Sequence, residues 1–226
     1  MRSWKHRLGT LATVILAASL VHAAEDLRPN VIMILTDDQG SIDANCYGAT
    51  DLVTPAIDGL AERGVRFTQF YAAAPVCSPS RAGLLTGRYP IRNGMTSNQR
   101  VVLFPNSGGG LPPDETTLAE LLKQKDYATG VFGKWHLGHL PQYLPTAQGF
   151  DTYFGIPYSN DMDKIGGPNY RAEAIADPDY YPEIEHFNVP LMRDQKIIER
   201  PADQNTITKR FTEEAVEFIK ANKDQP

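Results

Sequence analysis

Asn30-Val31-Ile32-Met33-Ile34-Leu35-Thr36 is a continuous apolar run that stops at Asp37-Asp38. A run without polar alternation predicts a strand covered on both faces, as in a parallel sheet under helices. Outward from it the period changes. Thr54-Pro55 opens AIDGLAER and Gly64 closes it: a cap residue, a proline at the first helical position and a terminal glycine. Val65 to Tyr71 (VRFTQFY) reads as the next strand, Thr116 as the cap of a helix through LAELLKQK, and Tyr127 to Trp135 (YATGVFGKW) as a third strand. Strands alternating with helices predict an α/β fold: a mostly parallel, doubly wound sheet with helices on both faces.

Residues 156–203 lack a usable period and are rich in Pro, Asp, Tyr and Asn, which predicts a long surface excursion with at most short strands. Gln204 to Lys223 turns helical again, with Ile207, Phe211, Ala215, Phe218 and Ile219 on one face. The chain stops at Asp224-Gln225-Pro226, where the pattern would begin another strand, so the sheet is expected to be incomplete at its C-terminal end.

At 226 residues, 42% hydrophobic and 22% charged, the chain has the length and composition of a domain with a real core. A net charge of −5 without any long basic run argues against nucleic-acid binding. Arg2, Lys5 and Arg7 precede the uncharged stretch Leu8–Leu20 and the small residues Ala23-Ala24. That order predicts a signal peptide over residues 1–24 and export to a periplasmic, secreted or lumenal location. The apolar stretch is too short for a stable membrane span. Export would permit a Cys46–Cys77 disulfide, the default reading of two cysteines on composition alone.

Three short motifs carry chemistry. In Pro75-Val76-Cys77-Ser78-Pro79-Ser80-Arg81, Ser78 reads as a helix cap with Pro79 first in the helix, which leaves Cys77 just outside a helix N-terminus. Free amides there favour an anion, Arg81 adds a forked cation, and a thiol so placed acidifies. In Gly133-Lys134-Trp135-His136, strand alternation would set Lys134 and His136 on one face with Trp135 opposite. Asp37-Asp38 ends the first run; as hard oxygen donors they suit Ca²⁺ or Mg²⁺, and alone they read equally as a turn or cap.

Cys77-x-Pro79-x-Arg81 with Leu84-Leu85-Thr86-Gly87-Arg88 resembles the signature of the formylglycine-dependent sulfatases, arylsulfatase A type, and the likeness runs from Asn30 to about Asp161. The resemblance implies an alkaline-phosphatase/sulfatase-like fold and hydrolysis of aryl or carbohydrate sulfate esters. It implies that formylglycine-generating machinery converts Cys77 to an aldehyde whose hydrate is the nucleophile. Catalytic roles then fall on Cys77, Arg81, Lys134 and His136, and sulfate binding on Lys134, His136 and Ser159. Ser159, in Gly155-Ile156-Pro157-Tyr158-Ser159-Asn160-Asp161, reads equally as an ordinary loop serine. Asp37, Asp38 and the modified Cys77 become ligands of a divalent cation, Ca²⁺ before Mg²⁺.

Cys46 becomes structural, so no disulfide is expected. Arg88 is expected to hold the loop and His139 to lie on the surface. Asp126 and Phe132 depart from the family's usual Gly and small residue. Family members are longer, so residues 25–226 read as the N-terminal part of a sulfatase catalytic domain, with weak or no activity expected of this chain by itself. Sulfated small molecules or glycans are the expected partners. The rivals are a phosphomonoester or phosphonate hydrolase on the same scaffold, and a binding protein that holds sulfated ligands without cleaving them.

Overall fold

Strand β1 (Gly130–Lys134) and strand β2 (Thr152–Ile156) run parallel, with Gly130 opposite Thr152 and Lys134 opposite Ile156. The computed structural model in which they are seen describes residues 28–96, 101–166, 173, 176–177 and 183–226. The expected signal peptide lies outside these residues. Strand β3 (Leu191–Arg193) pairs antiparallel with β2, and β4 (Lys196–Glu199) antiparallel with β3, in the order β1-β2-β3-β4. Asp194 makes the tight turn between the last two at φ 53°, and its carboxylate accepts the Tyr153 N–H at 2.9 Å. The fold class is α/β as expected. The described sheet is mixed, with one parallel pair and two antiparallel ones.

The pleat of β2 sends successive side chains to opposite faces and so builds two cores. Tyr153 joins Ala82, Leu111, Trp135, Leu137 and Met192 on one face. Phe154 and Ile156 join Phe187, Val189, Leu191 and Ile207 on the other. Helix α2 (Cys77–Thr86) sends Ala82 into the first core. Helix α4 (Ile207–Ala221) covers the second, with Phe211 edge-on to Phe154 at 6.1 Å and Phe218 against Phe132 at 5.5 Å. Phe132, where the family favours a small residue, is therefore matched by an aromatic partner. Helices α1 (Pro55–Arg63) and α3 (Leu118–Lys123) complete the set used below.

Asn30–Thr36 and Val65–Tyr71 are not strands. Both are irregular and exposed, Ile34 by 78% and Phe70 by 76%. Their apolar, β-branched and aromatic composition suits a sheet, but a strand also needs a neighbour for its ladder. Among the described residues no strand pairs with either segment, and the outer edge of β1 is unpaired. Two caps also move. Thr117, not Thr116, begins α3: its hydroxyl accepts the Glu120 N–H at 3.1 Å while Glu120 accepts the Thr117 N–H at 2.7 Å. Only that register closes a reciprocal capping box. Helix α2 starts at Cys77 with Val76 in the cap position, so Ser78 is not the cap and Pro79 sits inside the first turn, where its missing N–H costs nothing.

Candidate active site

Helix α2 and the carboxyl ends of β1 and β2 bring the site together. Arg81, one turn into α2, donates from Nη1 to the Lys134 carbonyl at 2.5 Å, which ties the helix to the end of β1. Its second terminal nitrogen lies 3.6 Å from Asp37 Oδ2. Lys134 Nζ meets the same Asp37 oxygen at 2.6 Å and donates to Ser159 Oγ at 3.2 Å. Four of the expected residues, from four separate stretches of chain, thus converge on one point. Cys77 belongs with them: it opens α2 as a half-buried free thiol, one helical turn before Arg81. Cys46, which is also free, donates its backbone N–H to Asp58 at 2.8 Å.

The electrostatics follow from that packing. Burial lowers the Arg81 pKa from its ordinary value, opposed chiefly by the negative charge of Asp37. For Asp37, partial burial pushes upward, but the hydrogen bond and charge of Lys134 with the charge of Arg81 win, so its carboxyl titrates below the usual range. Asp37 and Asp38 are hard oxygen donors and suit a divalent cation in kind. In number they do not complete one, because no group of three or more His, Cys, Asp or Glu able to hold a metal occurs among the described residues.

His136 reaches the site by a different route from strand alternation. Strand β1 ends at Lys134, and His136 takes a left-handed backbone at φ 59°. Its N–H is held by the Pro157 carbonyl at 3.2 Å. A non-glycine residue there stores about 1–2 kcal/mol of strain. The turn places the imidazole in the interior, fully buried, with Nε2 2.7 Å from the Leu103 carbonyl. Burial, with Lys134 and Arg81 nearby, lowers its pKa to about 4 against the pull of that carbonyl. The ring is therefore neutral at pH 7. Because a carbonyl only accepts, Nε2 carries the hydrogen and Nδ1 keeps a lone pair; Nδ1 is buried without a hydrogen-bond partner. Trp135 points into the first core and donates from its indole to Tyr143 O at 2.8 Å.

Supporting residues lie around this cluster. Gly138, at φ 117°, lets the backbone pass Gly110 and Tyr143 where a Cβ would collide, and the Leu137 carbonyl takes the Leu111 N–H at 2.8 Å. Arg88 pairs with buried Glu115 at 2.5 Å and donates to Arg92 O, which fixes the loop after α2. His139 is half-buried edge-on to Tyr158, not on the open surface. The backbone of Leu103 is a site component that residue-type reasoning passed over. No side-chain motif marks it, since its peptide does the work.

A family model described as Sulfatase matches residues 29–226. Arylsulfatase G of Rattus norvegicus is 44% identical over 204 residues, 85% of this chain and 38% of that protein. Arylsulfatase A of Homo sapiens is 51% identical over 136 residues, 59% of this chain and 26% of that protein. Among solved structures, the PsFucS1 sulfatase from Pseudoalteromonas sp. superposes with a TM-score of 0.67 at 28% identity, covering 94% of this chain and 44% of that one. The chain spans less than half the length of each of these relatives. It belongs to the sulfatase family.

Proposed function

We propose that the site hydrolyses sulfate monoesters, with residue 77 as the nucleophile. The convergence of Arg81, Lys134, Ser159 and Asp37 beside the N-terminus of α2 carries this reading. With His136 neutral, two cations against the Asp37 carboxylate leave one net positive charge. The family likeness is what favours a sulfate monoester over a phosphate monoester at such a site. Lys134 and Arg81 neutralise the non-bridging oxygens, Ser159 donates to one of them, and the helix amides add to the field. The lone pair of His136 Nδ1 accepts the hydroxyl proton at position 77.

Oxidation of Cys77 to formylglycine by dedicated machinery would supply a hydrated aldehyde, which has two hydroxyls where a serine has one. Asp37 and Asp38 with residue 77 would be this chain's share of a Ca²⁺ site, Mg²⁺ being the second choice. Aryl sulfates are the proposed small substrates and sulfated glycans the proposed natural class, met after export. No helix among the described residues is long and apolar enough to cross a membrane.

The test joins mass spectrometry of the Cys77 peptide to binding and turnover of an aryl sulfate and the matching aryl phosphate. Expected are a formylglycine mass, sulfate favoured over phosphate, weak turnover by this chain alone, and loss of aryl sulfate binding in Lys134→Ala. An unmodified thiol in active protein, a preference for phosphate, or no aryl sulfate binding would overturn the reading.

A further inference from the structure

Ser78 is the most buried polar residue of the motif helix, 1% exposed, and it does not cap that helix. Its hydroxyl instead accepts the N–H of Leu103 at 3.1 Å, across 25 residues of chain. The carbonyl of the same residue faces His136 Nε2 at 2.7 Å, across 33 residues. The main-chain N–H and C=O of Leu103 are thus both engaged, one by the helix that carries Cys77 and one by the imidazole that follows Lys134.

We propose that Ser78 is a positioning residue for His136: through Leu103 it fixes the imidazole as the Nε2–H tautomer and keeps the Nδ1 lone pair free for the site. A neutral imidazole chooses its tautomer by the partner each nitrogen finds, and an acceptor at Nε2 selects Nε2–H. The tautomer is therefore as secure as the carbonyl is steady. Leu103 is placed by its packing against the first core and by the Ser78 hydroxyl. The Leu103 N–H and C=O belong to successive peptide groups, so the Ser78 hydroxyl acts by position: holding the N–H fixes the backbone that aims the Leu103 carbonyl at His136. The orphaned Nδ1 is the counterpart of this arrangement, because a buried lone pair without a partner is costly unless the site uses it. In the motif Cys77-Ser78-Pro79-Ser80-Arg81 the second position would thus belong to the acid–base residue, while Cys77 and Arg81 face the sulfate.

The inference rests on the reading of His136 as the proton acceptor, but its test needs no turnover. Long-range ¹H–¹⁵N spectra of the uniformly labelled chain at pH 7 report which ring nitrogen of His136 carries hydrogen. Expected are the Nε2–H pattern in the native chain, a shift toward mixed tautomers in Ser78→Ala, and a return to the native pattern in Ser78→Thr, which restores the hydroxyl. Exchange of the Leu103 amide is expected to be slow in the native chain and faster in Ser78→Ala. A native spectrum with hydrogen on Nδ1 overturns the proposal without any variant. So does a folded Ser78→Ala whose His136 shifts match the native ones. Failure of sulfate hydrolysis with the native tautomer intact counts against the functional reading instead and leaves the role of Ser78 standing.

Discussion

His136 makes stability depend on pH. Its folded pKa of about 4 lies below the unfolded value near 6.5, so between those limits the unfolded chain binds more protons. Stability from this group is fully present above pH 6.5 and is lost as pH falls toward 4, by about 3 kcal/mol in all. Asp37 acts in the same direction but later: its carboxyl, held below 3.8, contributes above its unfolded value and loses that contribution at still lower pH. Urea unfolding at pH 7 and 4.5 is expected to show a drop of about 2–3 kcal/mol, most of it missing in His136→Gln. An unchanged slope in that variant would sink the assignment. Arg88 gives a second test. Arg88→Met strands the buried Glu115 carboxylate and is expected to cost about 1–3 kcal/mol, read by thermal unfolding, with part recovered in Arg88→Met/Glu115→Gln. Residue identities were legible in sequence where type and local spacing suffice. Asp126, which stands where the family usually has Gly, takes the left-handed φ of 60° just after α3. The backbone of His136 was not legible, because its left-handed turn depends on Pro157, 21 positions away.

Among the elements, those held by local rules were readable, and those that need a distant neighbour were not, except β1, which lies within the expected strand Tyr127–Trp135. The α1 signals lie within its own residues, and the helix runs from Pro55 to Arg63 as they indicate. The start of α3 was readable to one residue, and the difference is instructive. Thr116 and Thr117 are chemically alike, and only the spacing to Glu120 tells them apart. Thr117 is also fully buried and donates its hydroxyl to Gln148 O at 2.8 Å, which no local rule contains. Thr117→Ala is therefore expected to cost more than the ~1 kcal/mol of a lost cap, about 2 kcal/mol, while Thr116→Ala costs only a few tenths. Chemical denaturation of the two variants decides it, and equal midpoints would return the cap to Thr116. The other sheet elements behaved oppositely. Strand β2 carries no alternation strong enough to read from Thr152 to Ile156, and it exists because β1 and β3 lie on either side.

At the scale of the molecule, the two cores and the exposed apolar segments make opposite demands. The cores gather around β2 and draw on α2 and α4, so their stability does not depend on the rings at Phe67, Phe70 and Tyr71. Those rings stand in solvent, Tyr71 by 77%, with Phe67 and Phe70 6.0 Å apart. The main chain beneath them is tethered where Tyr47 donates its hydroxyl to the Phe67 carbonyl at 3.2 Å. An exposed apolar patch on a tethered backbone is a surface for self-association, since burying it needs little further ordering of the chain. The chain is therefore expected to scatter light increasingly with concentration and to bind a hydrophobic dye while its cores remain intact. Phe67→Ser/Phe70→Ser/Tyr71→Ser is expected to lower both signals severalfold and leave the unfolding free energy within about 0.5 kcal/mol of the parent, as for surface changes outside a core. A large fall in the midpoint would mean that these rings pack in the folded chain after all. Undiminished scattering would move the sticky surface elsewhere, with Asn30–Thr36 the next segment to substitute.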